Sequence, residues 1–138
     1  ISSKDYIKSN NIDKIEYPII ILASTLGMIL MISSYDLIIS NTDAARRKGL
    51  MNQSFLEKNT GMLFIWPSSK KQCMWMKNTS LPLSVAYLSS DGRILEIYDM
   101  VPFSEDSVCS MQNVRMAVEV NQGWFAKNKI FVGDKINL

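Results

Sequence analysis

The sequence predicts an α+β domain of short strands and two small helices over residues 36–138, preceded by one apolar helix. Three observations predict it. Residues 17–35 hold no charged side chain, Asp91-Gly92 sits between two apolar runs, and the apolar runs beyond residue 36 are short and bounded by Gly, Pro, Asn or Ser. A chain of 138 residues has room for one domain of ordinary size. About 100 of them can enclose a core without a metal or a disulfide framework.

Residues 1–16 form a polar flank, mixing Lys4, Lys8 and Lys14 with Asp5, Asp13 and Glu16. The stretch from Tyr17 to Tyr35 then has the length and apolarity of a transmembrane helix. Tyrosines at both edges suit the two interfaces of a bilayer, and Pro18 falls where a first helical turn tolerates it. A buried core helix or a pair of buried strands is the alternative. The mixed charges and the lack of a small-x-small cleavage site make this a poor secretory signal and favour an uncleaved anchor. Lysine and arginine bias gives no orientation, with three before the span and Arg46, Arg47 and Lys48 shortly after it.

Beyond the span, Tyr35–Ser40 reads as a strand. Asn41-Thr42-Asp43 supplies N-cap oxygens for a short helix through Lys48, and Gly49 supplies its stop. Gly61–Trp66 is an apolar strand ended by Pro67-Ser68-Ser69. Gln72–Met76 makes another. Ser84–Leu88 and Arg93–Tyr98 flank Ser89-Ser90-Asp91-Gly92, a strong hairpin signal. Val114–Val120 alternates as a strand, Gln122–Lys127 fits one or two helical turns, and Ile130–Val132 leads through Gly133-Asp134 to a last strand.

The chain has no histidine, which removes the commonest general base and metal ligand. Neither a Ser-His-Asp nor a Cys-His nucleophile system can be assembled. The two cysteines, Cys73 and Cys109, lack zinc-site spacing. Residues 41–138 carry twelve basic and nine acidic side chains, too small an excess for a nucleic-acid surface, and Arg46-Arg47-Lys48 reads as a solvated helix face. No metal or cofactor is expected. The methionines, Met51, Met62, Met74 and Met76 among them, could ligate Cu(I) but read better as core filler. Asp91, Glu96, Asp99, Glu105 and Asp106 show no spacing that supports glycosidase or divalent-metal chemistry.

Several ordered motifs carry a family resemblance. They are Gly49-Leu50-Met51, Gly61-Met62-Leu63-Phe64, the run from Cys73-Met74-Trp75-Met76-Lys77-Asn78-Thr79 to Asp91-Gly92, Ala117 to Phe125, and Val132-Gly133-Asp134. Together they resemble the bacterial and archaeal domain of unknown function 192 family over residues 41–138. That resemblance implies a compact, partly closed, mainly antiparallel β-barrel with two flanking helices. One branch of the family has similar cysteine positions, which implies a Cys73–Cys109 disulfide and an oxidising compartment; two reduced core cysteines are the alternative. Separately, Asp5-Tyr6, Glu16-Tyr17-Pro18, Thr25-Leu26-Gly27-Met28, Met31-Ile32-Ser33-Ser34 and Asp36-Leu37-Ile38 resemble one transmembrane segment of subunit N of bacterial NADH-quinone oxidoreductase. That likeness covers about 35 residues of a much longer membrane protein. Its ion-pathway lysines and glutamates have no counterparts here, so neither pumping nor respiratory-complex association is expected.

Lys77-Asn78-Thr79 is the first candidate ligand site, three polar side chains at a strand end that suit a carboxylate, phosphate or sugar oxygen. Alternatively, Asn78 and Thr79 satisfy turn backbone groups while Lys77 is solvated. Trp75, Met76 and Trp124 complete a candidate cleft. The expected function is a non-catalytic accessory domain anchored in the inner membrane through residues 17–35, facing the periplasm, with a small ligand or an envelope protein as partner. The alternatives are an enzyme acting on a small or glycan-like substrate through Lys77, Asp91 or Glu119, and a fragment or fusion of NADH-quinone oxidoreductase subunit N.

Overall fold

A computed structural model describes residues 35–138 in full and the backbone of three earlier strands. Those strands are β1 (Lys14–Tyr17), β2 (Ile20–Leu22) and β3 (Ile29–Met31). The helix expected over residues 17–35 lies largely outside the described residues, as does most of the 1–16 flank. The parts of that stretch that are described are strands, and among the described residues no helix is long and apolar enough to cross a membrane.

The rest follows in order: β4 (Tyr35–Ser40), α1 (Asp43–Lys48), β5 (Thr60–Lys70), β6 (Cys73–Met74) and β7 (Leu83–Leu88). Then come β8 (Ile94–Met100), β9 (Val108–Cys109), β10 (Val114–Asn121) and α2 (Trp124–Lys127). Six strands make one sheet in the order β1-β4-β5-β10-β7-β8, and β2-β3 and β6-β9 are two-stranded ribbons. Among the described residues every pairing is antiparallel except β4 with β5, where Leu37 lies opposite Gly61 and Ile39 opposite Leu63.

The expected barrel is not formed: the large sheet is open, ending at β1 and β8. The reason lies in where its side chains go. A small barrel buries only its inner face, whereas this sheet buries both faces beneath separate cores. On β10, Val118 and Val120 enter one core with Tyr35, Leu37, Trp124, Phe125, Ile130 and Ile136. Ala117 enters the other, with Met62, Phe64, Leu83, Val85, Met74 and Met76. All six residues of β7 are buried, the pattern of a strand covered on both sides.

Local signals act as expected at α1, where Thr42 Oγ1 accepts from the Ala45 N–H at 3.1 Å and Gly49 follows the last turn. Strand β5 continues through Pro67, against expectation. There β10 advances only from Val114 to Met116 while β5 advances from Lys70 back to Ile65, a bulge that removes the need for a Pro67 N–H. The expected Gln72–Met76 strand shortens to two residues, and the final strand reduces to a bridge between Arg93 and Lys135.

That bridge docks the C-terminal residues onto the β7–β8 hairpin. Gly92 has φ of 83°, its carbonyl accepts from the Ile136 N–H at 2.8 Å, and a Cβ placed on it would lie 2.2 Å from the Ile136 oxygen. Only glycine meets both conditions. Gly92→Ala is expected to cost about 2–3 kcal/mol through backbone strain and displacement of Ile136 from its core. Urea unfolding reads the loss, and hydrogen exchange should show Ile136 deprotected first.

Candidate functional site

The second core is not sealed. Between α1, the far half of β5 and the Cys73–Met76 segment lies a cleft with a volume of about 370 Å3. Its walls are Phe64 and Trp66 from β5 on one side and Cys73, Met74, Trp75 and Met76 on the other, with Thr79 beside them. Gln72, Leu83 and Glu119 form the floor, and Arg46, Arg47, Lys48 and Lys70 stand at the rim with Asp43.

The Cys73–Met76 wall is held by few but specific contacts. Strand β6 pairs with β9 in a two-residue ribbon, and its directly opposed residues Cys73 and Cys109 form a disulfide. The Gln72 N–H donates to Ser110 Oγ at 3.0 Å, the Ser110 N–H donates to the Gln72 carbonyl at 2.8 Å, and the Met76 N–H donates to the Ser104 carbonyl at 2.8 Å. Two residues of the sheet reach back to it. Tyr87 Oη donates to the Val108 carbonyl at 2.6 Å, and the Glu96 carboxylate accepts from the N–H groups of Met111 and Gln112. Burial works against the charge on Glu96, but these bonds and one from Tyr98 outweigh it and hold its carboxyl below the usual range. The disulfide, with its partners 36 residues apart, adds roughly 3–4 kcal/mol by shrinking the unfolded ensemble.

Of the residues expected to build a cleft, the structure brings together Trp75, Met76 and Thr79. Lys77 is directed to Glu105 at 3.6 Å and lies 5.1 Å from the Trp75 ring centroid. Asn78 sits in a left-handed turn, with φ of 52°, where its carbonyl accepts from the Asn52 N–H at 2.8 Å. Thr79 Oγ1 donates to the Lys77 carbonyl at 3.0 Å. These contacts fit the turn-forming reading of Lys77-Asn78-Thr79. Trp124 lies on the opposite face of the sheet, its ring 4.5 Å from that of Tyr35 in the first core. Asp91 bonds Ser89 in the hairpin turn and lies 3.9 Å from Lys135, remote from the cleft lining.

Two residues missing from the expected cleft matter most. Glu119 stands in the middle of β10, paired with Met62 on one side and Val85 on the other, and is 4% exposed. Burial pushes its carboxyl up to about 8. Gln72 is 6% exposed, and among the described residues its Nε2 has no hydrogen-bond partner. Alternation along β10 puts Glu119 on the same face as Ala117 and opposite Val118, but that both faces are buried shows only once β5 and β7 are in place. No local signal marks Gln72.

The rim differs from the floor. Arg46 is committed to structure: it donates to the carbonyls of Asn41 and Ile65 and pairs with Asp43. Arg47, Lys48 and Lys70 are exposed, so the cleft has a positive mouth over a floor whose single acid is neutral below about pH 8. A buried titratable group in a cleft is the pattern of a functional site, beyond what packing alone requires.

The sign of the resulting pH dependence follows from the raised value. The native state keeps the Glu119 proton that the unfolded chain releases near 4.5, so stability falls as pH rises from about 4.5 to about 8 and levels off beyond. Glu119→Gln should remove that fall. The variant's advantage in urea midpoint is expected to grow from pH 5 to pH 8, reaching on the order of a few kcal/mol. A difference that stays constant over this range would show that Glu119 ionises normally.

With this geometry in view, comparisons place the chain. No curated protein matches it. A solved structure from Sinorhizobium meliloti 1021, described as a proposed transcription regulator, matches with a TM-score of 0.81 at 28% identity. The match covers 91% of this chain and 94% of that one. A protein of unknown function from Novosphingobium aromaticivorans DSM 12444 matches with a TM-score of 0.75 at 25% identity, over 89% of this chain and 85% of that one. The profile of DUF192, described as Uncharacterized ACR, matches residues 29–138. That span takes in every strand of the two cores and the whole of the cleft, so the chain belongs to the domain of unknown function 192 family.

Proposed function

We propose that this chain is a non-catalytic accessory domain that binds a small ligand in the cleft between α1 and the Cys73–Met76 wall. One observation carries the reading: a buried floor of Glu119 and of Gln72, whose Nε2 has no hydrogen-bond partner among the described residues, opens into a cavity whose mouth is positive. Burying a carboxyl, and an amide nitrogen without a partner, costs stability unless something else meets them. The cavity volume falls in the range of small-ligand sites.

The disulfide supports an oxidising compartment, which favours the periplasm, whereas the strand pairing of Tyr17 with Tyr35 runs against a spanning helix between them. Catalysis is the weaker reading, because the lysine and two carboxylates considered for it do not converge. Lys77 is turned to Glu105, Asp91 belongs to the hairpin, and only Glu119 faces the cleft. A role like that named for the Sinorhizobium protein finds little support in the basic residues, since α1 has only six residues and its Arg46 is internally bonded.

The test is retention of small molecules from a cell extract, read by native mass spectrometry. Trp75→Ala is expected to abolish retention with little change in melting temperature, since Trp75 is 44% exposed. Lys77→Ala/Asn78→Ala should do the reverse, retaining the ligand while losing about 1–2 kcal/mol, because alanine tolerates the left-handed turn less well than asparagine. Retention that survives Trp75→Ala and fails in the double variant would move the site to the turn.

A further inference from the structure

We propose that the cleft takes a sugar-sized, hydroxylated organic anion, with its phosphate or carboxylate at Arg47 and Lys70 and its hydroxyls at Glu119 and Gln72. This rests on the cleft being a ligand site, and it adds the chemical class of the ligand.

Charge comes first. Among the ionisable residues that line the cleft, Asp43 is paired with Arg46. Arg47 and Lys70 stand at the exposed rim, and among the lining residues Glu119 is the acid of the floor. A positive mouth of this kind draws anions, and guanidinium and ammonium groups give charge-assisted hydrogen bonds to phosphate or carboxylate oxygens. The floor asks for something different. A protonated Glu119 both donates and accepts, and the Gln72 amide, whose Nε2 is unpaired among the described residues, supplies further donors. Hydroxyl groups meet both needs, being donors and acceptors at once. A small inorganic anion would satisfy the rim alone, and an apolar ligand would leave both floor groups desolvated and unmet.

The walls of the cleft are largely apolar. Phe64 and Trp66, with rings 6.1 Å apart, lie on one side, and the Met74–Met76 segment lies on the other. Flat apolar surfaces on two sides suit a ring with C–H faces and a hydroxylated edge. A cavity of about 370 Å3 fits a single ring with its anionic substituent and leaves no room for a polymer to thread through.

Calorimetric titration of the full chain with glucose 6-phosphate, glucuronate, glucose and inorganic phosphate tests this. At least one sugar anion should bind tenfold or more tightly than glucose and inorganic phosphate, and Arg47→Glu should weaken that binding at least tenfold. Between pH 6 and pH 9 the wild type should lose affinity severalfold as Glu119 ionises, whereas Glu119→Gln should show a flat profile. Sugar anions that bind no better than glucose, or that ignore Arg47→Glu, overturn the proposed class. If Trp75→Ala still abolishes retention of extract molecules in that case, the ligand cleft stands and only its chemistry is wrong. If Trp75→Ala retains them, both readings fall.

Discussion

Everything in this domain depends on β10 being paired on both edges and covered on both faces. Strands β5 and β7 take up its backbone groups from Met116 to Val120, so the side chains have only the two cores in which to go. Alternation then does the sorting. Val118 and Val120 enter the first core, whereas Ala117 and Glu119 face the second. A carboxyl held in that position cannot swing to solvent as it could on an edge strand, and its raised proton affinity follows from its place in the pairing.

The second constraint is that the wall over this carboxyl is thin. Strand β6 has two residues and β9 has two, and a ribbon of that size is not stable by itself. Its persistence rests on the disulfide, on the Tyr87 hydroxyl beneath Val108 and on Glu96, whose carboxylate gathers the Met111 and Gln112 amides. Tyr87 and Glu96 come from the β7–β8 hairpin, so the sheet itself positions the cleft wall.

Much of this fold was legible in the sequence because its signals are local. The Thr42 cap, the Gly49 stop, the Asp91-Gly92 turn and the strands around them need only neighbouring residues to be read. The open sheet was not legible, because whether strands close into a barrel depends on what covers their faces. Pro67 looked like a strand end, yet the bulge opposite it removes the objection, and that bulge is set by β10 some fifty residues later. The site was half visible for the same reason. Trp75 and Met76 were read as cleft residues, but Trp124 could not be assigned to the opposite face from its own surroundings, and Gln72 carries no signal until Ser110 fixes its backbone. Glu119 stood out only as a carboxylate. Its burial required knowing both neighbours of β10.

The docking of Ile136 on Gly92 has a consequence for how the molecule is made. Strands β4 and β5 leave the ribosome early and can pair at Leu37 and Gly61, but the other edge of β5 is filled only when Val120 has been synthesised, and the first core is complete only with Ile136 in place. Until then the apolar sides of β4, β5 and β7 have no lasting cover, and contacts between such distant parts of a chain form slowly. The nascent domain therefore passes through most of its own synthesis as a client for whatever shields unfinished sheets.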